Sequence, residues 1–329
     1  MKHSNISIFI PHNGCPHQCS FCNQKNITGQ SYQPTKEDVK NTLENAVNDL
    51  GDKAKNAEIA FFGGSFTAID RDYMITLLEA AKPFTKIFSG IRISTRPDYI
   101  DDEVLEVLKK YNVTSIELGA QSMDDFVLKA NNRGHNSYDV IKASKLIKKY
   151  NFSFGLQMMT GLYSSTYEKD IYTAQKFIEL KPNTVRIYPT VIMKETELAN
   201  LYLSGKFVPY TLEQSVDLCS RLILVFEKAD IKIIRLGLHY SESLVKNSLA
   251  NNYHPAFKEL CESRIFYNSF IEKTNSVDKS KTFTAYINEK SLSKFYGQKK
   301  CNLNCFKEMG YTFETKFDNT LGKYDLYIK

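Results

Sequence analysis

The 329-residue chain has no tryptophan, no low-complexity tract, no internal repeat of fixed period and no long apolar run. Without a repeat there is no sign of a solenoid, and without a stretch of roughly 20 apolar residues there is no membrane-spanning helix. The apolar run near the N-terminus, Ile6 to Ile10 in "MKHSNISIFIPHNG", is also too short for a secretory signal. A strong charge of either sign is missing as well. The 43 basic and 37 acidic residues leave a formal +6, which is compatible with a phosphate-rich partner but too mild to establish one. The seven cysteines are odd in number and three are clustered, so a disulfide framework is disfavoured and a cytoplasmic protein with reduced thiols is expected. Twenty Tyr and 21 Phe suit a globular core.

What is present is an alternation. Short runs rich in β-branched and aromatic residues predict strands at Ile6 to Ile10, Glu58 to Phe62, Gly90 to Ser94, Ser115 to Leu118, Ser153 to Met158 and Thr184 to Tyr188. Amphipathic stretches between them have the length of βα crossovers, so the order reads as an α/β fold with a parallel sheet. A helix over Leu212 to Ala229 and a strand over Ile231 to Leu236 follow. The pattern changes near Ser248, giving a barrel over 1–247 and a small α+β segment over 248–329, with a helix expected from Ser291 to Met309.

In parallel α/β folds ligands bind beyond the carboxyl ends of the strands. After the first predicted strand comes "CPHQCSFC", which places Cys15, Cys19 and Cys22 together; after the second comes "GGSF", Gly63 to Phe66. The third leads into Ser94 and Thr95 of "STRPD", the fourth into Gln121 and Ser122 of "GAQS", and the fifth ends at Met158. Three thiolates can hold three irons of a 4Fe-4S cluster and leave the fourth open to a small molecule. Gly63 and Gly64 lack Cβ atoms, which lets backbone approach a ligand closely. Ser94, Thr95, Gln121 and Ser122 offer hydroxyl and amide groups suited to a polar ligand edge. Ser65 and Met158 complete the candidate cofactor contacts.

These motifs, with "ITGQSYQPT", "NRGHN" and "VRIYPTVIMKETELANLY", resemble the radical S-adenosylmethionine (SAM) superfamily. Within it the chain resembles the radical-SAM domain of the Elongator catalytic subunit, from roughly Phe9 to Leu236. The resemblance implies a partial (β/α)6 TIM-like barrel, a 4Fe-4S cluster on Cys15, Cys19 and Cys22, and SAM bound beside it. It implies reductive cleavage of SAM to methionine and a 5'-deoxyadenosyl radical that abstracts hydrogen from substrate. A tRNA or other RNA substrate and an external electron donor such as flavodoxin or ferredoxin are implied in the same way. The gap between the first two cysteines is shorter than in the Elongator subunit, and no acetyltransferase domain is expected after the barrel. Position 24 is Gln24, where coproporphyrinogen dehydrogenases carry a fourth cysteine.

Two other readings stand beside this one. A small-molecule or porphyrin-type substrate would make the charge incidental, and a zinc site completed by His12 or His17 would make the chain a nucleic-acid-binding module. Arg133 and His135 read as substrate or SAM contacts, or as a surface loop before a helix cap. Glu117 reads as a buried structural pair or a catalytic acid. Cys301 and Cys305, four apart on the expected helix, read as packing or as part of a second metal site. The segment over 248–329 is expected to cover the barrel mouth and help choose the substrate, with Lys290, Lys294, Lys299 and Lys300 able to meet phosphates.

Overall fold

The computed structural model describes residues 4–11, 15, 18–29 and 32–329. One sheet runs through seven parallel strands: β1 (Ser4–Ile10), β2 (Ala57–Gly63), β3 (Ile91–Thr95), β4 (Val113–Gln121), β5 (Ser153–Thr160), β6 (Thr184–Pro189) and β7 (Lys232–Leu236). Their spatial order is their chain order, and β1 and β7 form the two edges. The sheet is therefore a partial barrel of seven strands rather than six, because Lys232–Leu236 pairs alongside β6 in the same sheet. Side chains such as Ile59, Ile93, Ile116, Leu156 and Ile187 are fully buried, as expected for strands covered on both faces.

The crossover helices start where their caps dictate. Thr35 and Asn136 form capping boxes with Asp38 and Asp139, while Asp70, Asp101 and Thr166 accept from backbone N–H groups two or three residues into their helices. These caps close the loops that begin at the carboxyl ends of the strands, so the rim loops have defined ends.

Inside the sheet lies a chain of charges. Arg92 on β3 donates to Glu58 on β2 (2.7 Å) and to Glu117 on β4 (2.9 Å). Arg186 on β6 grips the same Glu117 through Nε and Nη2 (2.5 and 2.9 Å). Ser115 donates to Glu58 and Gln157 to Glu117, both at 2.9 Å. Burial pushes the Glu117 carboxyl up, but Arg186 and Arg92 hold it below the ordinary carboxylate range. Gly155 on β5 makes room, since a Cβ there would stand 3.0 Å from Glu117 Cγ and 2.8 Å from Thr184 Oγ1. Glu117 is thus a paired structural carboxylate.

The chain divides into two compact units, 1–209 with 229–251, and 210–228 with 252–329. The helix Leu212–Lys228, expected with the barrel, groups with the second unit. There it packs on Phe257–Thr274 and buries Cys219, Leu222 and Phe226, while Cys261 is buried on the facing helix. The second unit holds a three-stranded sheet of β8 (Phe283–Ile287), β9 (Phe313–Phe317) and β10 (Leu326–Ile328), with β8 in the middle. Its core is aromatic, with the rings of Phe270 and Phe306 stacked 3.7 Å apart. The helix expected over Ser291 to Met309 is broken. Gly297 (φ 76°) ends Leu292–Tyr296, and Lys299 and Lys300 take left-handed backbone before Cys301–Glu308 begins. Among the described residues no helix is long and apolar enough to cross a membrane.

The charge chain generates a stability test. Glu117→Gln leaves Arg186 buried without its carboxylate and should cost about 3–5 kcal/mol, read as a lower urea midpoint. Lys149→Ala removes an exposed pair with Asp102 and an exposed contact with the Tyr150 ring and should change stability by less than about 1 kcal/mol. Equal effects from the two would show that the buried network carries no special weight.

Candidate active site

A cavity of about 380 Å³ opens at the carboxyl rim of the sheet. Cys15, Cys19 and Cys22 line it from the loop after β1, Gly63 to Ser65 from the end of β2, and Ser94 to Arg96 from the end of β3. Gly119 and Gln121 of β4, Gln157 of β5 and Arg133 complete most of its wall. Parallel strands put all their carboxyl ends on one side, which is why residues far apart in sequence meet here.

The cysteine loop is held from two sides. Ser20 donates through its N–H to Asn131 O (3.1 Å) and through Oγ to Asn131 Oδ1 (2.7 Å), while Ser20 O accepts from Leu198 N–H (2.8 Å). Asn131 is fully buried and spends its amide on Val127 O and Tyr163 O. Cys22 N–H turns back onto Cys19 O (3.1 Å). All three thiols are free; Cys15 is exposed, Cys22 half-buried and Cys19 buried.

Burial, then Cys19 and Cys15, push the Cys22 thiol up to about 12. Cys15, exposed on one side but partly desolvated by the surrounding wall, is raised too by that desolvation and by Cys19, against a Ser65 backbone hydrogen bond and the guanidinium groups of Arg96 and Arg133. The raised Cys15 and Cys22 thiols are disfavoured as thiolates, so a bound cationic centre is what would release their protons. Among the described residues no three His, Cys, Asp or Glu converge tightly enough to grip a single metal ion. On a cubane each thiolate takes its own iron, so a cluster does not require three ligands to converge on one ion. His12 and His17, the proposed zinc partners, lie outside the described residues.

The walls fit a polar ligand beside such a cluster. Gln121 sits in left-handed backbone (φ 67°) at a register shift between β4 and β5, and its buried Oε1 has no hydrogen-bond partner among the described residues. Arg96 is clamped by Asp98 through Nε (2.9 Å) and Nη2 (2.8 Å), yet its buried Nη1 is equally without a described partner. Buried polar atoms are normally satisfied, so an orphan acceptor and an orphan donor on one cavity wall call for an occupant.

Other expected contacts look different in detail. Gly63 is needed for its φ of 114° and because a Cβ would meet Ile10 O at 2.5 Å, so β1 rather than a ligand excludes the side chain. Gly63 O accepts from Gln24 Nε2 (2.7 Å), and Gly64 N–H donates to Ile10 O (2.7 Å). Ser65 and Thr95 line the cavity with hydroxyls 2.9 Å apart, bonded to each other. Ser94 Oγ accepts from Gln157 Nε2 (3.0 Å). Two candidates are not on the wall. Met158 is core, because strand alternation turns Gln157 toward the cavity and Met158 away from it. Ser122 Oγ is occupied with Asp124 N–H and Thr173. Gln157, Gln24 and Asn131 were missed, although a glutamine inside the apolar run "FGLQMM" is a legible signal for the first.

A second cavity of about 650 Å³ shares Gln24, Gly63, Ser94 and Gln157 with the first. Phe9, Phe62, Tyr188 and Tyr240 supply aromatic surface, and Arg235 and the Glu117-paired Arg186 also lie on its wall. The Arg186 guanidinium stands 5.0 Å over the Phe62 ring.

Comparison with known proteins matches the Radical SAM superfamily over residues 9–176 and the Radical_SAM C-terminal domain over residues 182–266. The chain is 26% identical over 231 residues to the tRNA uridine(34) acetyltransferase of Dehalococcoides mccartyi, covering 60% of this chain and 50% of that protein. It is 31% identical over 197 residues to human Elongator complex protein 3, covering 53% and 36%. It thus spans half or less of the length of these curated relatives. Among solved structures, archaeal Elp3 from Methanocaldococcus infernus superimposes with a TM-score of 0.65 at 20% identity, over 83% of this chain and 63% of that one. Streptococcus suis SuiB bound to S-adenosylmethionine does so with a TM-score of 0.53 at 16% identity, over 74% and 52%. Both structural likenesses speak for the fold.

His135 generates a pH test. Its Nε2 lies 3.2 Å from Ala120 O, and burial and then Arg133 push its pKa down to about 3. The unfolded chain takes up this proton near pH 6.5 and the folded chain does not, so stability should fall as pH drops from about 6.5 toward 3. Thermal midpoints of wild type and His135→Gln at pH 7 and pH 5 check this, with the variant losing less, by roughly 2 kcal/mol. Parallel pH dependences would disprove the burial of a neutral imidazole.

Proposed function

The chain belongs to the radical SAM superfamily, and from that premise we propose that it modifies a nucleoside of tRNA. Enzymes of this superfamily use a 4Fe-4S cluster and SAM. The observation that carries the reading is one cavity whose wall holds three free cysteines beside the orphaned Gln121 Oε1 and Arg96 Nη1. Cys15, Cys19 and Cys22 would hold the cluster, and Gln121, Arg96 and the rim backbone would orient SAM. When bound, this pair supplies one-electron cleavage of SAM and abstraction of a hydrogen atom from substrate.

The rest falls to the chain's own residues. Gln157 stands between the two cavities and is fixed by Glu117 and Ser94, so it orients whatever spans the shared wall. The larger cavity has the size for one nucleoside and aromatic faces on which a base can stack, with Arg235 and the Glu117-paired Arg186 on the same wall, a combination suited to a nucleotide. Relatives named for tRNA uridine modification support the same substrate class. Electrons would come from a low-potential protein donor of the flavodoxin or ferredoxin kind.

Anaerobically reconstituted protein should hold about four irons and four sulfides. Replacing any one of Cys15, Cys19 or Cys22 by Ala should bleach its visible absorbance, and iron retained by the triple variant would overturn the cluster assignment. Nucleoside mass spectrometry of tRNA from a strain lacking the chain should miss one modified nucleoside, restored by wild type but not by Cys22→Ala. An unchanged profile would rule out tRNA and turn attention to a small-molecule substrate.

A further inference from the structure

Arg133 is a buried cation without a carboxylate. Its side chain is almost wholly enclosed, at 7% exposure for the residue, and it enters no ion pair with any described Asp or Glu. None of the undescribed residues is acidic. Its neighbour Arg96 is neutralised by Asp98 and adds a hydrogen bond from Nη2 to Arg133 O (2.7 Å). The Arg133 guanidinium is fixed in place by other means. Nη2 donates to Gly119 O (2.5 Å), the Phe21 ring lies 5.9 Å from the guanidinium carbon, and Nη1 donates to Cys19 Sγ at 3.0 Å. Its Nε is buried with no partner among the described residues.

An isolated buried charge is costly, and an arginine cannot shed its proton to escape the cost. The group must therefore have an anion as its partner in the working protein, and the atom it points at is the sulfur of Cys19. We infer that Arg133 is a positioning residue for the iron-sulfur cluster: it compensates the cluster's negative charge and raises the reduction potential through an N–H···S bond to Cys19. This rests on the assignment of the cluster to the three cysteines.

The step concerned is addition of one electron from a low-potential protein donor to the cluster, with no bond or proton exchanged. That electron makes the thiolate-bound cluster one charge more negative. A fixed cation and a donor on a ligating sulfur stabilise the reduced form more than the oxidised form, so they move the potential upward. The same contact holds Cys19 against β4 through Gly119 O, which couples the cysteine loop to the cavity wall where Gln121 sits.

The test is an EPR-monitored redox titration of reconstituted full-length protein without SAM. Arg133→Met, which removes charge and donor, should lower the ratio of reduced to oxidised cluster at a fixed applied potential roughly tenfold, a shift of ~59 mV to more negative values for one electron. Arg133→Lys, which keeps the charge and loses the planar fork, should fall between this variant and wild type. An Arg133→Met midpoint equal to wild type overturns the inference. If neither variant assembles a cluster, pulsed EPR of reduced wild type carrying ¹⁵N-arginine decides instead: a guanidinium nitrogen coupling supports the contact, and its absence overturns it. Iron retained after replacement of all three cysteines would defeat the cluster assignment, whereas a cysteine-dependent cluster with an unmoved midpoint would defeat only the role of Arg133.

Discussion

One carboxylate inside the partial barrel, Glu117, orders much of what surrounds it. It is 1% exposed, and its two oxygens accept from Arg92, Arg186 and Gln157, which come from β3, β6 and β5. Through Arg92 the connection reaches Glu58 on β2, so the network ties together five neighbouring strands of the sheet. A charge this deep is tolerable only when every lone pair has a donor, and here the donors are themselves held by strands. The consequence reaches the cavities: Arg186 is fixed above Phe62, and Gln157 is fixed on the wall common to both spaces.

The same logic governs the rim. Cysteine loops are short of regular hydrogen bonds, and this one borrows them from a distance. Asn131 and Leu198 hold Ser20, and Arg133 holds Cys19. The segment "NNRGHN" thereby supports the cysteine loop on one side and buries neutral His135 against Ala120 on the other. Among the described residues, three of the buried polar atoms without a hydrogen-bond partner belong to residues of this cavity wall, Gln121, Arg96 and Arg133, while others, such as Asn5 Oδ1 and Thr184 Oγ1, lie away from it. Incomplete polar groups gathered on one cavity wall are a structural indication that this cavity works with a guest.

The second unit follows different rules. Its core is a cluster of phenylalanine and tyrosine rings rather than a charge network, and the Phe270 to Phe306 stack lies at its centre. Cys301 and Cys305 sit on a helix that begins only after a left-handed break at Lys299 and Lys300. A run of lysines and a glycine were too weak a signal to reveal that break, since either residue type is common inside helices or just beyond them.

Alternation of apolar strands with amphipathic helices determined the parallel sheet, and a parallel sheet necessarily gathers the ends of its strands at one rim. Three cysteines within "CPHQCSFC" were enough to raise the expectation of a cluster, because the spacing of thiolates is a local property. What the sequence could not decide is which side chains at that rim face inward. Gln157 rather than Met158 enters the cavity, and Gln121 is turned by left-handed backbone at a register shift, details that depend on strand pairing. Nor could it pair Arg133 with Cys19 across 114 positions or Glu117 with Arg186 across 69. Such contacts have no local periodicity; they exist only once hydrogen bonding between neighbouring strands has set the register and closed the distance.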